Sequence, residues 1–281
     1  MRFKNFIIAL ILLTLVTPVL LQAQNTEQEL VNKFLQRTEA KHITKTGWMA
    51  FNFTVNRINR HNDYNSFTTQ VSNQIPNGGF SWLNTAQSFG LDLGIVFKDH
   101  WAWCIGGEYW LKLKDELNGS YTYLATGGTI DDPSSEIQVY GIYTGVQYYF
   151  FNNPRKVEHI TGLSLRVGGT VGYYEAKWDL WPDYENLNLS TSAPTGTENT
   201  TFKGTAPGFT VNMGMDYPLN VFGMVLGADL SYLYLNFNNV AWYNSSDDEV
   251  IVTTTGTSDG RVDLGMSGFR AKMELKRFFS F

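Results

Sequence analysis

From Thr46 to the end of the chain, apolar and polar residues alternate with a period of two, the spacing of a strand whose two faces meet different surroundings. In the first segment Phe51, Phe53 and Val55 oppose Asn52, Thr54 and Asn56. A second, near 86–98, sets Phe89, Leu91, Leu93, Ile95 and Phe97 against Gly90, Asp92 and Gly94. After Asp99-His100 a third runs to about Lys114, with Ile105, Gly107, Tyr109, Leu111 and Leu113 opposite Cys104, Gly106, Glu108, Trp110 and Lys112. Further segments follow at about 136–151, 161–177 and 205–217, then a seventh through Leu226, Ala228, Leu230 and Tyr232. In the last, Phe269, Ala271, Met273, Leu275, Phe279 and Phe281 alternate with Arg270, Lys272 and Glu274. In the second and third segments the charges of the alternating stretch share one face.

The links after the first, third, fifth and seventh segments are long, at about 58–85, 115–135, 178–204 and 238–258, while those between are short. That alternation is expected of a barrel with short turns on one side of a membrane and long loops on the other, both termini lying with the short turns. Aromatics gather near the short turns (Trp101, Trp103, Tyr148, Tyr149, Phe150, Phe151, Phe278 and Phe279) and toward the long loops (Tyr140, Tyr174, Trp178 and Tyr234), where interfacial girdles are needed. A lipocalin-like barrel also alternates, with its apolar face inside. Loop asymmetry and the terminal aromatic favour the membrane form.

Upstream, Met1-Arg2-Phe3-Lys4, an apolar run from Phe6 to Val16, Pro18 and Leu21-Gln22-Ala23 have the layout of a secretory signal peptide, with cleavage expected after Ala23. Residues 24–45 then form a periplasmic segment. Within it Thr26-Glu27-Gln28-Glu29 has capping-box spacing, and Leu30, Val31, Phe34 and Leu35 make an apolar stripe, so a short amphipathic helix is expected near 26–41. It could lie on the inner leaflet, plug the barrel base or dock on a partner. Cys104 is the only cysteine, which excludes an internal disulfide and a lipid-bearing cysteine at the cleavage site. With 19 Phe, 15 Tyr, 8 Trp and 26 Gly in 281 residues, the composition suits strands with one lipid face. Loss of Arg2 and Lys4 would take the formal charge from −5 to −7, and no basic cluster stands out, so nucleic acid is not an expected partner. The fold class expected is all-β: a single antiparallel transmembrane β-barrel of about eight strands over 46–281, preceded by the short helix.

Through the signal peptide, the eight alternating segments and the last strand Gly268-Phe269-Arg270-Ala271-Lys272-Met273-Glu274-Leu275-Lys276-Arg277-Phe278-Phe279-Ser280-Phe281, residues 46–281 resemble the small outer-membrane barrels of the OmpA transmembrane-domain, OmpX and OmpW families. The resemblance implies a Gram-negative outer membrane, contact with its lipid and lipopolysaccharide, and recognition of Phe281 by the barrel-assembly machinery. No peptidoglycan-binding domain follows, so the tethering role of full OmpA is not implied.

Asp92, Glu108, Lys112, Arg166, Asp216, Asp229, Arg270, Lys272 and Glu274 all take the polar face and would be costly unpaired, so a lumenal network of ion pairs is expected. Eight strands leave room for little but side chains, which makes a narrow OmpW-like path for small solutes the secondary reading. The N-terminal helix before eight strands also resembles the lipid A palmitoyltransferase family. His61, Asp131, Asp132 and Ser134 are the candidate residues for such chemistry, but they form no recognisable motif. The acidic runs Asp131-Asp132 and Asp247-Asp248-Glu249 fit no defined calcium loop and read as solvated faces. No cofactor or metal is expected. Tyr, Trp, Ser, Thr and Asn in the long loops suit recognition, so the function expected is non-enzymatic: surface binding, or an accessory subunit contacting other outer-membrane proteins.

Overall fold

The computed structural model describes residues 46–59, 64–65, 68–69, 80–98, 100–122, 129–150, 163–181, 200–219, 223–243, 249 and 262–280, with the side chains of Lys112, Thr129, Ile130, Thr200, Asn239, Trp242 and Ser280 left aside. The signal peptide, the N-terminal helix, His61, Phe151, Asp247, Asp248 and Phe281 lie outside the described residues.

Among the described residues alternation yields eleven strands: β1 (Thr46–Ile58), β2 (Thr85–Lys98), β3 (Trp101–Glu116), β4 (Ser120–Thr122), β5 (Thr129–Asp131), β6 (Ser134–Tyr149), β7 (Ser164–Trp181), β8 (Thr200–Pro218), β9 (Met224–Tyr243), β10 (Val262–Gly265) and β11 (Gly268–Ser280). One sheet runs β10-β9-β11-β1-β2-β3-β6-β7-β8, and β8 pairs back onto β9, so the long strands close into an antiparallel barrel. Closure leaves no sheet edge in the ring, the condition for a strand-built structure in lipid. Thr46 pairs with Ser280, which puts the start of β1 and the end of β11 at the end of the barrel that carries the short links. β4 and β5 form a separate hairpin within the link from β3 to β6. Among the described residues no helix is long and apolar enough to cross a membrane, a fact that bears only on helices.

The wall is uneven in height. β3, β6, β7, β8, β9 and β10 continue well past the point where β1 stops and β2 starts. β2–β3 pairing ends at Ser88↔Trp110, whereas β3–β6 pairing runs on to Glu116↔Ser134. The low side is filled by the link from β1 to β2, which puts Tyr64, Phe80 and Leu83 in the mouth, all buried. Asn65 staples this link: Leu83 donates its N–H to Asn65 Oδ1 (2.7 Å) and Asn65 Nδ2 donates to the Leu83 carbonyl (3.3 Å).

A register shift between Trp110 and Leu113 places a bulge in β3. The extra residue exchanges the two faces beyond it. Leu113, expected on the outer face, therefore packs against the interior beside Ile137.

Candidate functional site

The interior is stacked in three layers. Nearest the short turns, Trp48, Ala50, Cys104, Val225 and Phe278 form one apolar cluster and Val96, Ala102 and Tyr149 a second. Toward the long loops, Trp110, Ile137, Val139, Trp178, Phe202 and Phe237 belong to a much larger apolar core. Between them lies a charged chamber.

Strand parity brings the chamber's residues together. Asp92 comes from β2, Glu108 from β3, Arg166 from β7, Asp216 from β8 and Asp229 from β9, while β11 alone supplies Arg270, Lys272, Glu274 and Lys276 at alternate positions. Arg166 donates from Nε to Asp216 (3.1 Å) and from Nη2 to Asp229 (2.8 Å) and to Glu274. Lys276 bridges both Asp216 oxygens at 3.1 Å and reaches Glu274 at 2.8 Å. Lys272 pairs with Glu274 and lies 3.4 Å from Asp92 and 3.6 Å from Asp229. Arg270 pairs with Glu108, which also accepts from Tyr174 (3.0 Å) and Ser88 (3.2 Å). Asp92 accepts from Tyr143 and from Asn52 (3.0 Å). Arg166 and Lys276 are fully buried. Charges so deep persist only when paired, and each of these two cations meets at least two carboxylates.

Eight of the nine charged residues expected in the lumen line this chamber, six in one ion-pair cluster and Glu108 with Arg270 as a separate pair; Lys112 is the exception, its side chain lying outside the described residues. Lys276, not among them, is the ninth member. The signal is present in the sequence: Lys276 continues the parity of Arg270, Lys272 and Glu274. The charge network does not fill the interior, because the upper part is apolar.

The girdles are corrected likewise. Trp101, Trp103, Phe150, Phe279, Tyr140 and Tyr234 face outward and are exposed, but Tyr149, Tyr174, Trp178 and Phe278 point inward and are buried. Tyr109, Tyr173 and the outward Tyr140 and Tyr234 instead make the upper ring, at 40 to 58% exposure. Below it the outer face is apolar, with Thr144 the one hydroxyl besides the tyrosines, over nine-residue stretches: 140–148 in β6, 165–173 in β7, 209–217 in β8 and 226–234 in β9. Above it the faces exchange. On β7, Tyr174, Ala176, Trp178 and Leu180 turn inward and Glu175, Lys177 and Asp179 turn outward; on β9, Leu233, Leu235 and Phe237 are inside and Asn236 and Asn238 outside. The β6–β7 register is unbroken across this point, so the strand itself does not slip and only the chemistry changes face.

In the mouth, Tyr64 packs edge-on against Trp178 (centroids 5.3 Å apart), and Trp178 Nε1 donates to Ser135 (2.9 Å). Burial pushes the Tyr64 phenol up to about 12, a hydrogen bond with Ser135 opposing the rise and the Asp115 charge adding to it. Of the residues considered for catalysis, Asp131 accepts from Ser120 and Asp132 from the Gly119 N–H (2.6 Å), which ties both to the β4–β5 hairpin, while His61 lies outside the described residues. Among the described residues no group of three or more His, Cys, Asp and Glu is placed to hold a metal ion.

No family model matches the chain, and no curated protein matches its sequence. Among solved structures it is similar to the outer membrane protein OprG from Pseudomonas aeruginosa (13% identity, 85% of this chain and 97% of that one, TM-score 0.47). It is also similar to a major outer membrane protein from Thermus thermophilus (11% identity, 83% and 99%, TM-score 0.45) and to Neisserial surface protein A (12% identity, 86% and 100%, TM-score 0.38).

Proposed function

We propose that the chain is an eight-strand outer-membrane barrel of a Gram-negative bacterium, with a sealed lumen, that acts without catalysis through the part of the wall projecting beyond the membrane. The observation that carries this reading is the exchange of faces at the ring of Tyr109, Tyr140, Tyr173 and Tyr234. Below it, nine residues at roughly 3.3 Å each, tilted by about 40°, span about 23 Å, close to the roughly 25 Å apolar band of such barrels. Above it, an apolar core with charges outside is the pattern of a barrel in water. The projecting wall is therefore a rigid collar built for the aqueous side, held by its own dry core and not by lipid. Two apolar layers closing the chamber favour this reading over a solute path.

Single cysteines along β8 test it. In intact cells a membrane-impermeant maleimide is expected to label Thr205→Cys rapidly and to leave Val211→Cys and Met213→Cys unlabelled until the membrane is dissolved. Equal labelling at all three would remove the boundary; labelling at 211 and 213 but not at 205 would reverse it. Cys104 is buried in the lower apolar cluster and gives little background.

A further inference from the structure

Among the described side chains the charged chamber holds one cation fewer than it has carboxylates: Arg166, Arg270, Lys272 and Lys276 against Asp92, Glu108, Asp216, Asp229 and Glu274. Glu108 takes Arg270 to itself, with Tyr174 and Ser88 as further donors. The other four carboxylates share three cations. Asp216 has Arg166 and Lys276; Glu274 has Arg166, Lys272 and Lys276; Asp92 has Lys272, Tyr143 and Asn52.

Asp229 is left with fewer hydrogen-bond donors than Asp92, its neighbour on Lys272. Its Oδ2 competes with Glu274 for one nitrogen, Arg166 Nη2, and its contact with Lys272 is 3.6 Å. Among the described residues its Oδ1 accepts only from the Asn212 amide, at 3.4 Å, while the oxygen of that buried amide has no hydrogen-bond partner. An ionised carboxyl shut between two apolar layers and sharing every cation it touches is costly, and two carboxyl groups converging on one donor favour a proton on one of them.

We propose that Asp229 holds this proton. A half-turn of the Asn212 amide lets the protonated Oδ1 donate to the amide oxygen, while Oδ2 still accepts from Arg166. The proton comes from solvent as the barrel closes, leaves Glu274 as the ionised partner of Arg166, Lys272 and Lys276, and equalises the chamber's charges. The site binds a proton and nothing larger, and it depends on the lumen alone, whatever the collar contacts.

Asparagine at position 229 imitates the protonated acid, which gives the test. In detergent at neutral pH, Asp229→Asn is expected to keep the melting temperature of the parent protein, whereas Asp216→Asn, which removes a needed charge, lowers it by roughly 10 °C. The infrared carbonyl band of a protonated carboxyl group is expected in the parent and missing in Asp229→Asn. A drop for Asp229→Asn as large as that for Asp216→Asn, no such band in the parent, or a band that survives Asp229→Asn would each overturn the proposal.

Discussion

At the scale of single residues the interior is built by setting bulky side chains against glycines on neighbouring strands. Tyr174 is the clearest case: its ring occupies the space where a Cβ on Gly141 or Gly208 would stand, and its hydroxyl reaches Glu108 at 3.0 Å. Gly208→Ala must therefore move the ring and with it one donor to a buried carboxylate. We expect a loss of about 1–3 kcal/mol from overpacking, read as a lower denaturant midpoint in detergent. Tyr174→Phe should separate the two contributions, keeping the packing and losing only the hydrogen bond, at roughly 1–3 kcal/mol for the unsatisfied acceptor. If Gly208→Ala leaves the midpoint unchanged, the ring is not confined as described. Trp48 stands in the same relation to Gly94 in the lower seal, where the Lys276 ammonium also lies 5.1 Å from the indole ring.

At the scale of strands, the period-two alternation is enough to give each long strand and, from parity, the members of the charge network. Two features are harder to read. The bulge after Trp110 reverses the faces of β3 by one extra residue, which no local residue type announces, so alternation alone places Leu113 outward. The exchange of faces is in fact legible: the apolar residues of β7 fall at 165, 167, 171 and 173, then at 174, 176, 178 and 180, a change of phase without a change of period. Read as one continuous strand with a single lipid face, that change is overlooked and Tyr174 and Trp178 become girdle residues. The boundary can be measured on β9, where Leu230 (65% exposed) and Asn238 share the outer face on opposite sides of Tyr234. Leu230→Arg places a cation within the apolar band and is expected to cost about 2–4 kcal/mol in refolding into bilayers, whereas Asn238→Arg should cost close to nothing. Equal costs would show that the band does not end at the tyrosine ring.

At the scale of the molecule, the described interior is layered: apolar below, charged in the middle, apolar above. The sequence suggests a polar lumen, because the charges on the inner face stand out and the inner aromatics pass for girdles. What decides conduction is the apolar layers, since an ion crossing either one loses most of its water to apolar surroundings. The two seals differ in thickness. The lower clusters comprise Trp48, Phe278, Tyr149 and a few smaller residues, whereas the upper core extends through the whole mouth and is capped by Tyr64, Phe80 and Leu83 from the link between β1 and β2. Opening the lower seal alone should therefore admit water to the chamber without creating a path. In planar bilayers the parent protein is expected to give no unitary conductance, and Trp48→Ala with Phe278→Ala to give none either, although that variant should exchange lumenal amide and carboxyl protons faster. Conductance from the double variant would mean that the upper core is not a barrier, and the mouth would then be a gate and not a fixed cap.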